Sequence, residues 1–145
     1  MEVPTPAAPA VEEVVPARAY DILVVEDDPR VLGATVGALQ ELGHRVTSCS
    51  DPLAAPVAVG GMASLDLVIS DVQMPGQTGP EMIAGLGERL DGVAVLFVTG
   101  FAGEAEADMF GGRGVLRKPF TMASLSRAVT DAVEFEARRG TQQAA

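Results

Sequence analysis

The chain has 145 residues, 20 acidic against 10 basic side chains, a formal net charge of −10 and 48% hydrophobic residues. That length and apolar content suit one domain with an ordinary core, without a disulfide or metal staple. The acid excess argues against a nucleic-acid groove or an anionic membrane surface, which need clustered Lys and Arg. The lone Cys49 excludes an internal disulfide, and Met1-Glu2-Val3-Pro4 lacks the basic start of a signal peptide. With no apolar run long enough to span a bilayer, a soluble cytoplasmic protein with no nucleic-acid or membrane partner is expected.

Residues 1–19, with Pro4, Pro6, Pro9 and Pro16 among Ala, Val and Glu, show neither helical nor strand period and are expected to be a disordered tail. From Asp21 the pattern becomes regular. Ile22-Leu23-Val24-Val25 predicts a strand ending at the acids Glu26-Asp27-Asp28, followed by a helix from Pro29 to about Leu42 that stops at Gly43. Asp28-Pro29 fits an N-cap followed by proline at the first helical position. Arg45–Cys49 alternates as a strand, Asp51 can cap a weak helix over Pro52–Val59, and Leu65–Ser70 predicts a second apolar strand ending at Asp71.

A Pro/Gly-rich loop over Val72–Thr78 precedes a helix from Pro80 to about Leu90, and Val93–Val98 reads as the most hydrophobic strand. Glu104–Phe110 allows only a short helix with a solvated acidic face. Gly114–Arg117 predicts the last strand, and Met122 to about Arg138 a closing helix with Leu125, Val129, Ala132 and Val133 on one side. Five strands alternating with helices predict an α/β fold, a doubly wound five-stranded parallel sheet with helices on both faces. The boundaries expected are a domain over 20–138 and a flexible C-terminal tail over 139–145. His44, after the helix stop at Gly43, is expected at the surface, and Cys49 as a small buried apolar residue.

In such sheets ligands bind beyond the carboxyl ends of the strands, where strand order reverses. On that rim the sequence places Glu26-Asp27-Asp28, Asp71, Thr99 and Lys118, the only lysine in the chain. Acids gathered without matching cations must protonate or share a metal. Mg²⁺ suits Asp27 and Asp71, with a backbone carbonyl after Asp71 as a further oxygen ligand. The Asp71 carboxylate can then attack phosphorus to give an acyl phosphate, with Lys118 as a mobile point charge on a phosphoryl oxygen and Thr99 as a neutral donor.

The fragments Ile22–Pro29, Ser70-Asp71-Val72-Gln73-Met74-Pro75-Gly76 with Gly79, Val98-Thr99-Gly100 and Arg117-Lys118-Pro119-Phe120 together resemble the receiver (response-regulator) domain of two-component signalling, over about residues 20–138. The resemblance implies a flavodoxin-like (βα)5 fold and Mg²⁺-dependent phosphotransfer to Asp71 from a histidine kinase or histidine phosphotransferase. It implies Asp27 as a direct metal ligand, Glu26 acting through water, the Gln73 carbonyl as a third protein ligand, and Thr99 and Lys118 as the switch hydroxyl and site lysine. A cis Lys118–Pro119 peptide and a switched surface for a downstream protein partner also follow from it. Such a domain accepts a phosphoryl group without turning over an external substrate.

Departures from the common receiver pattern concern output. Gly100 follows Thr99, Val115 stands where many receivers carry an aromatic switch residue, and the Thr99–Lys118 segment is about one helical turn short. Phe97-Val98-Thr99-Gly100-Phe101 looks like the FATGUY single-domain receivers, and also like receivers of hybrid kinases; the length suggests a single-domain regulator. Gln73 stands where a haloacid-dehalogenase-like phosphatase needs a second Asp, and no Gly-rich loop follows the first strand as a nucleotide oxidoreductase requires. The remaining rival is a receiver-like interaction module that no longer uses phosphate.

Overall fold

The computed structural model describes residues 19–100 and 114–144, with side chains through Arg139. Five parallel strands form one sheet: β1 (Asp21–Val25), β2 (Arg45–Cys49), β3 (Leu67–Asp71), β4 (Ala94–Thr99) and β5 (Gly114–Arg117), in spatial order β2-β1-β3-β4-β5. Four α-helices accompany them among the described residues: α1 (Pro29–Glu41), α2 (Ala55–Gly60), α3 (Gly79–Leu86) and α4 (Met122–Ala144). The short helix expected over Glu104–Phe110 lies outside the described residues, as does nearly all of the expected N-terminal tail.

The apolar runs are strands because both faces of the sheet are covered. On one face Leu23, Val25, Val68, Val95 and Phe97 pack against Ala55 of α2 and Met82, Ile83 and Leu86 of α3. On the other, Ile22, Val24, Leu67, Ile69, Leu96 and Val98 pack against Leu39 of α1 and Leu125, Val129 and Ala132 of α4. Burying a side chain such as Phe97 contributes about 2–3 kcal/mol, so the sheet is a stiff base for whatever its strand ends carry. The expected apolar side of the closing helix is therefore the face that α4 buries.

Element ends differ from expectation where local chemistry decides them. The α1 N-cap is Asp28, whose side chain accepts from the Arg30 amide at 2.9 Å, with Pro29 at the first position. A 3₁₀ turn over Pro52–Ala54, capped by Asp51 on the Leu53 amide, opens the weak helix. The α3 helix stops at Leu86, before the predicted Leu90, because Gly87 has φ +50°, and a 3₁₀ turn (Gly87–Leu90) completes the segment. A reciprocal capping box between Thr78 and Glu81 starts α3 one residue early, a signal the Thr-x-x-Glu spacing carried.

Helix α4 continues to Ala144 rather than ending near Arg138. Arg139 pairs with Glu136 at 3.0 Å and lies over the Phe135 ring at 6.0 Å, and one glycine at position 140 costs only about 1 kcal/mol in a helix. His44 is also not a surface residue: it is 5% exposed, its Nδ1 accepts from the Tyr20 amide at 3.0 Å, and its ring stacks on Tyr20. The Tyr20 ring covers it and the His44 amide donates to the Leu39 carbonyl of α1 at 3.1 Å, contacts that a sequence pattern centred on Gly43 could not reveal. Cys49 is buried, as expected, and its free thiol donates to the Asp51 carbonyl at 3.1 Å.

Candidate functional site

The chain winds outward from β1 in opposite directions, to β2 on one side and to β3, β4 and β5 on the other, so the crevice at the carboxyl ends of β1 and β3 is the reversal point. Glu26 and Asp27 follow β1 there, and Asp71 is the last residue of β3. One carboxylate oxygen from each of Glu26, Asp27 and Asp71 lies within 4.8 Å of the others. Lys118 follows β5, and its peptide bond to Pro119 is cis. Its Nζ is 3.2 Å from Glu26 Oε1 and 3.6 Å from Asp71 Oδ2, so one ammonium serves two acids.

Backbone contacts set the remaining orientation. The Asp28 amide donates to Glu26 Oε2 at 3.2 Å, and the Val72 amide donates to Asp71 Oδ1 at 2.9 Å. Thr99 ends β4 and is buried, and its carbonyl accepts from the Lys118 amide at 2.8 Å. Gln73 lies two residues beyond Asp71, its side chain exposed between the buried Val72 and Met74. Thus Glu26, Asp27, Asp71 and Lys118 are gathered at one point, with the Thr99 backbone holding the lysine segment and Gln73 at the loop edge.

Burial pushes the Glu26 carboxyl up, and the negative Asp71 beside it adds to that, against the Asp28 amide and Lys118. Burial likewise pushes Asp71 up, opposed first by the Lys118 ammonium. Two acids displaced upward despite a shared lysine form a site short of positive charge. A cation brought to the three oxygens would relieve both shifts at once.

Residues 22–130 match the family model described as the response regulator receiver domain. The chain belongs to the response regulator receiver family. The receiver is 33% identical over 118 residues to the sensor histidine kinase AruS of Pseudomonas aeruginosa, covering 77% of this chain and 12% of that protein. It is 37% identical over 107 residues to the transcriptional regulatory protein TcrA of Mycobacterium tuberculosis, covering 72% of this chain and 42% of that protein. A response regulator receiver domain protein from Clostridium thermocellum superposes with a TM-score of 0.71 at 27% identity, over 81% of this chain and 97% of the other. The chain thus spans less than half of the two curated relatives, and the receiver is the part they share with it.

The receiver fold also explains two residues that sequence reasoning left without a role. Ser70 is fully buried and donates to the Asp71 carbonyl at 2.8 Å. A Cβ at Gly79 would lie 2.4 Å from that same carbonyl oxygen, so the first turn of α3 can close on β3 only with glycine there. Gly79 had stood out as part of a motif; the close approach is its physical reason. Val115, in place of an aromatic, is partly buried against the α2 and α3 side of the core. Phe101 lies outside the described residues.

Proposed function

We propose that this receiver accepts a phosphoryl group on Asp71 from a phosphohistidine protein, a histidine kinase or histidine phosphotransferase, in a Mg²⁺-dependent reaction that switches a surface read by a downstream protein. The observation that carries this reading is three carboxylates converging within 4.8 Å with one ammonium shared between Glu26 and Asp71. The donor set fits a hard divalent cation, being all oxygen and short of balancing charge. Glu26, Asp27, Asp71 and the Gln73 carbonyl would hold Mg²⁺, which when bound neutralises charge on the transferring phosphoryl group.

The Val72 amide occupies Asp71 Oδ1, leaving Oδ2 toward Lys118 as the nucleophilic oxygen. The new P–O bond forms as the P–N bond to the donor imidazole breaks, and that electron pair leaves with the imidazole. Lys118 releases Glu26 and Asp71 to pair with a phosphoryl oxygen, and the Thr99 hydroxyl donates to another. The acceptor is consumed in each transfer, so the chain is a phosphoryl acceptor in the cytoplasm rather than an enzyme with an external substrate.

An apolar groove of about 530 Å³ adjoins this site, lined by Val31 and Ala34 of α1 and by Lys118, Pro119 and Phe120. Because Lys118 belongs to both groove and acid cluster, a helix of the phosphohistidine donor seated in the groove would bring its imidazole over Asp71. An Ala34→Glu variant is expected to slow transfer from a protein donor and to leave phosphorylation by a small donor unchanged.

Intact mass after incubation with phosphoramidate, with and without Mg²⁺, tests the central claim. One phosphoryl group gained only with the metal, and lost in Asp71→Asn, is the expected result. A chain that stays unmodified with Mg²⁺ and with a phosphorylated kinase would leave the phosphate-independent interaction module standing instead.

A further inference from the structure

The Asp71–Val72 peptide is held at both ends. Its carbonyl accepts from Ser70 Oγ at 2.8 Å, and its N–H is shared between Asp71 Oδ1 at 2.9 Å and Val98 O at 3.1 Å. A peptide is one rigid plane, so turning either end turns the other. Above it sits Gly79, whose amide donates to Val72 O at 2.8 Å and whose missing Cβ would meet the Asp71 carbonyl at 2.4 Å and Ser70 Oγ at 2.9 Å. The Ser70 hydroxyl is therefore enclosed between β3 and the first turn of α3, fully buried, with the Asp71 carbonyl as its acceptor.

We propose that Ser70 is a positioning residue for phosphoryl acceptance: by bonding the Asp71 carbonyl it fixes the 71–72 peptide plane and so selects which carboxylate oxygen Asp71 presents. With the plane held, the Val72 amide engages Oδ1, and Oδ2 is the oxygen 3.6 Å from Lys118. With the hydroxyl removed, the plane can rock, the Val72 amide shifts toward Val98, and the two oxygens compete for the attacking position. The loss falls on the chemical step, because the Ser70 hydroxyl bonds the Asp71 carbonyl and lines no part of the groove beside Lys118. This role rests on the reading of Asp71 as acceptor.

The test compares wild type, Ser70→Ala and Ser70→Thr. Each is saturated with phosphoramidate in excess Mg²⁺, and the Val72 amide is followed by NMR without donor. Ser70→Ala is expected to lower the maximal phosphorylation rate about five- to tenfold, the effect of one lost hydrogen bond. The half-saturating donor concentration should stay put while the Val72 amide proton shifts and exchanges faster; Thr, which keeps the hydroxyl, should restore the rate.

A folded Ser70→Ala chain that accepts phosphoryl at the wild-type rate overturns the inference, as does an unchanged Val72 amide. A wild-type chain that gains no phosphoryl group overturns the acceptor reading itself. The Val72 amide separates the two failures, since it reports the peptide lock with no donor present.

Discussion

At the amino end of the sheet, Asp21 receives both Arg45 Nε at 2.6 Å and Nη2 at 3.1 Å, with the Ser64 hydroxyl on the same carboxylate. Asp66 accepts from the Asp21 amide, and beside them His44 is buried as a neutral ring against Tyr20. At the carboxyl end, three acids converge and a single lysine serves two of them. The same strands thus end in a rim where each carboxylate has its partner and in one where carboxylates outnumber their partners. The consequence is visible in acidity: Asp21 is lowered to about 2, chiefly by its hydrogen bond to Arg45, whereas burial raises Glu26 and Asp71. Paired charge at the amino rim is already satisfied, and unpaired charge at the other stores a demand for a ligand.

The largest effect should come from meeting that demand. A ligand that binds only the folded state at a hundred times its dissociation constant adds about 2.7 kcal/mol of stability, so Mg²⁺ at that excess should raise the thermal midpoint by several degrees. Asp71→Asn should remove most of this gain, and without metal it should be more stable than wild type because one of three crowded acids is neutral. A midpoint that Mg²⁺ does not move would erase the contrast between the rims.

Removing the one compensating cation should push the other way. Lys118→Met leaves Glu26 and Asp71 facing each other with their carboxylates almost wholly buried. The lysine side chain is 25% exposed, so solvent screens part of the loss, and about 1–2 kcal/mol is expected in metal-free buffer at neutral pH. Denaturant melts of wild type and variant measure it. Because the raised carboxylates take up protons more readily folded than unfolded, the deficit should shrink as pH falls through their folded pKa values.

What the sequence disclosed divides along the same line. Strands covered on both faces read as unbroken apolar runs, so β1, β3 and β4 were legible to within two residues, and the acids and lysine that end them marked the rim. The contact between Ser70, Asp71 and Gly79 was hidden because it depends on how closely α3 approaches β3. Its one trace was the glycine eight residues after Asp71. The burial of His44 was hidden for the same reason, since a polar residue after a helix stop looks like a surface turn until Tyr20 stacks on it. The sharing of Lys118 with Glu26 was also unreadable, because the charge order on the rim emerges only when β1 and β5 segments meet.

His44 gives the amino rim its own pH signature, opposite in sign to that of the acids. Burial lowers its pKa from 6.5, with Arg45 adding to the effect, so the unfolded chain takes up a proton that folded His44 refuses. Stability from this group is full above about 6.5 and falls as pH drops toward the folded value. In metal-free buffer the raised carboxylates oppose that slope. His44→Asn, which keeps an acceptor for the Tyr20 amide, should flatten the decline between neutral and mildly acid pH. Asp71→Asn should steepen it by removing an opposing group. A decline unchanged in His44→Asn would mean that the ring takes up its proton while folded.

The smallest effect belongs to the best-paired carboxylate. Asp21 is held at about 2 against an ordinary 3.8, first by Arg45 and then by Ser64. Its contribution is therefore complete above the ordinary value and lost as pH falls toward 2. The Arg45 side of the pair lies in solvent, where salt screens it and exposed ion pairs contribute little. Asp21→Asn should leave the neutral-pH midpoint nearly unmoved and remove only a shallow, salt-sensitive slope at the acid end, read from urea midpoints at low and high ionic strength. A large loss at neutral pH would instead mean that the Asp21 contacts with Arg45 and Ser64 hold β1 to its neighbours. The amino rim would then be a structural clamp whose strength does not come from charge, and the contrast with the acid-crowded rim would become one of packing.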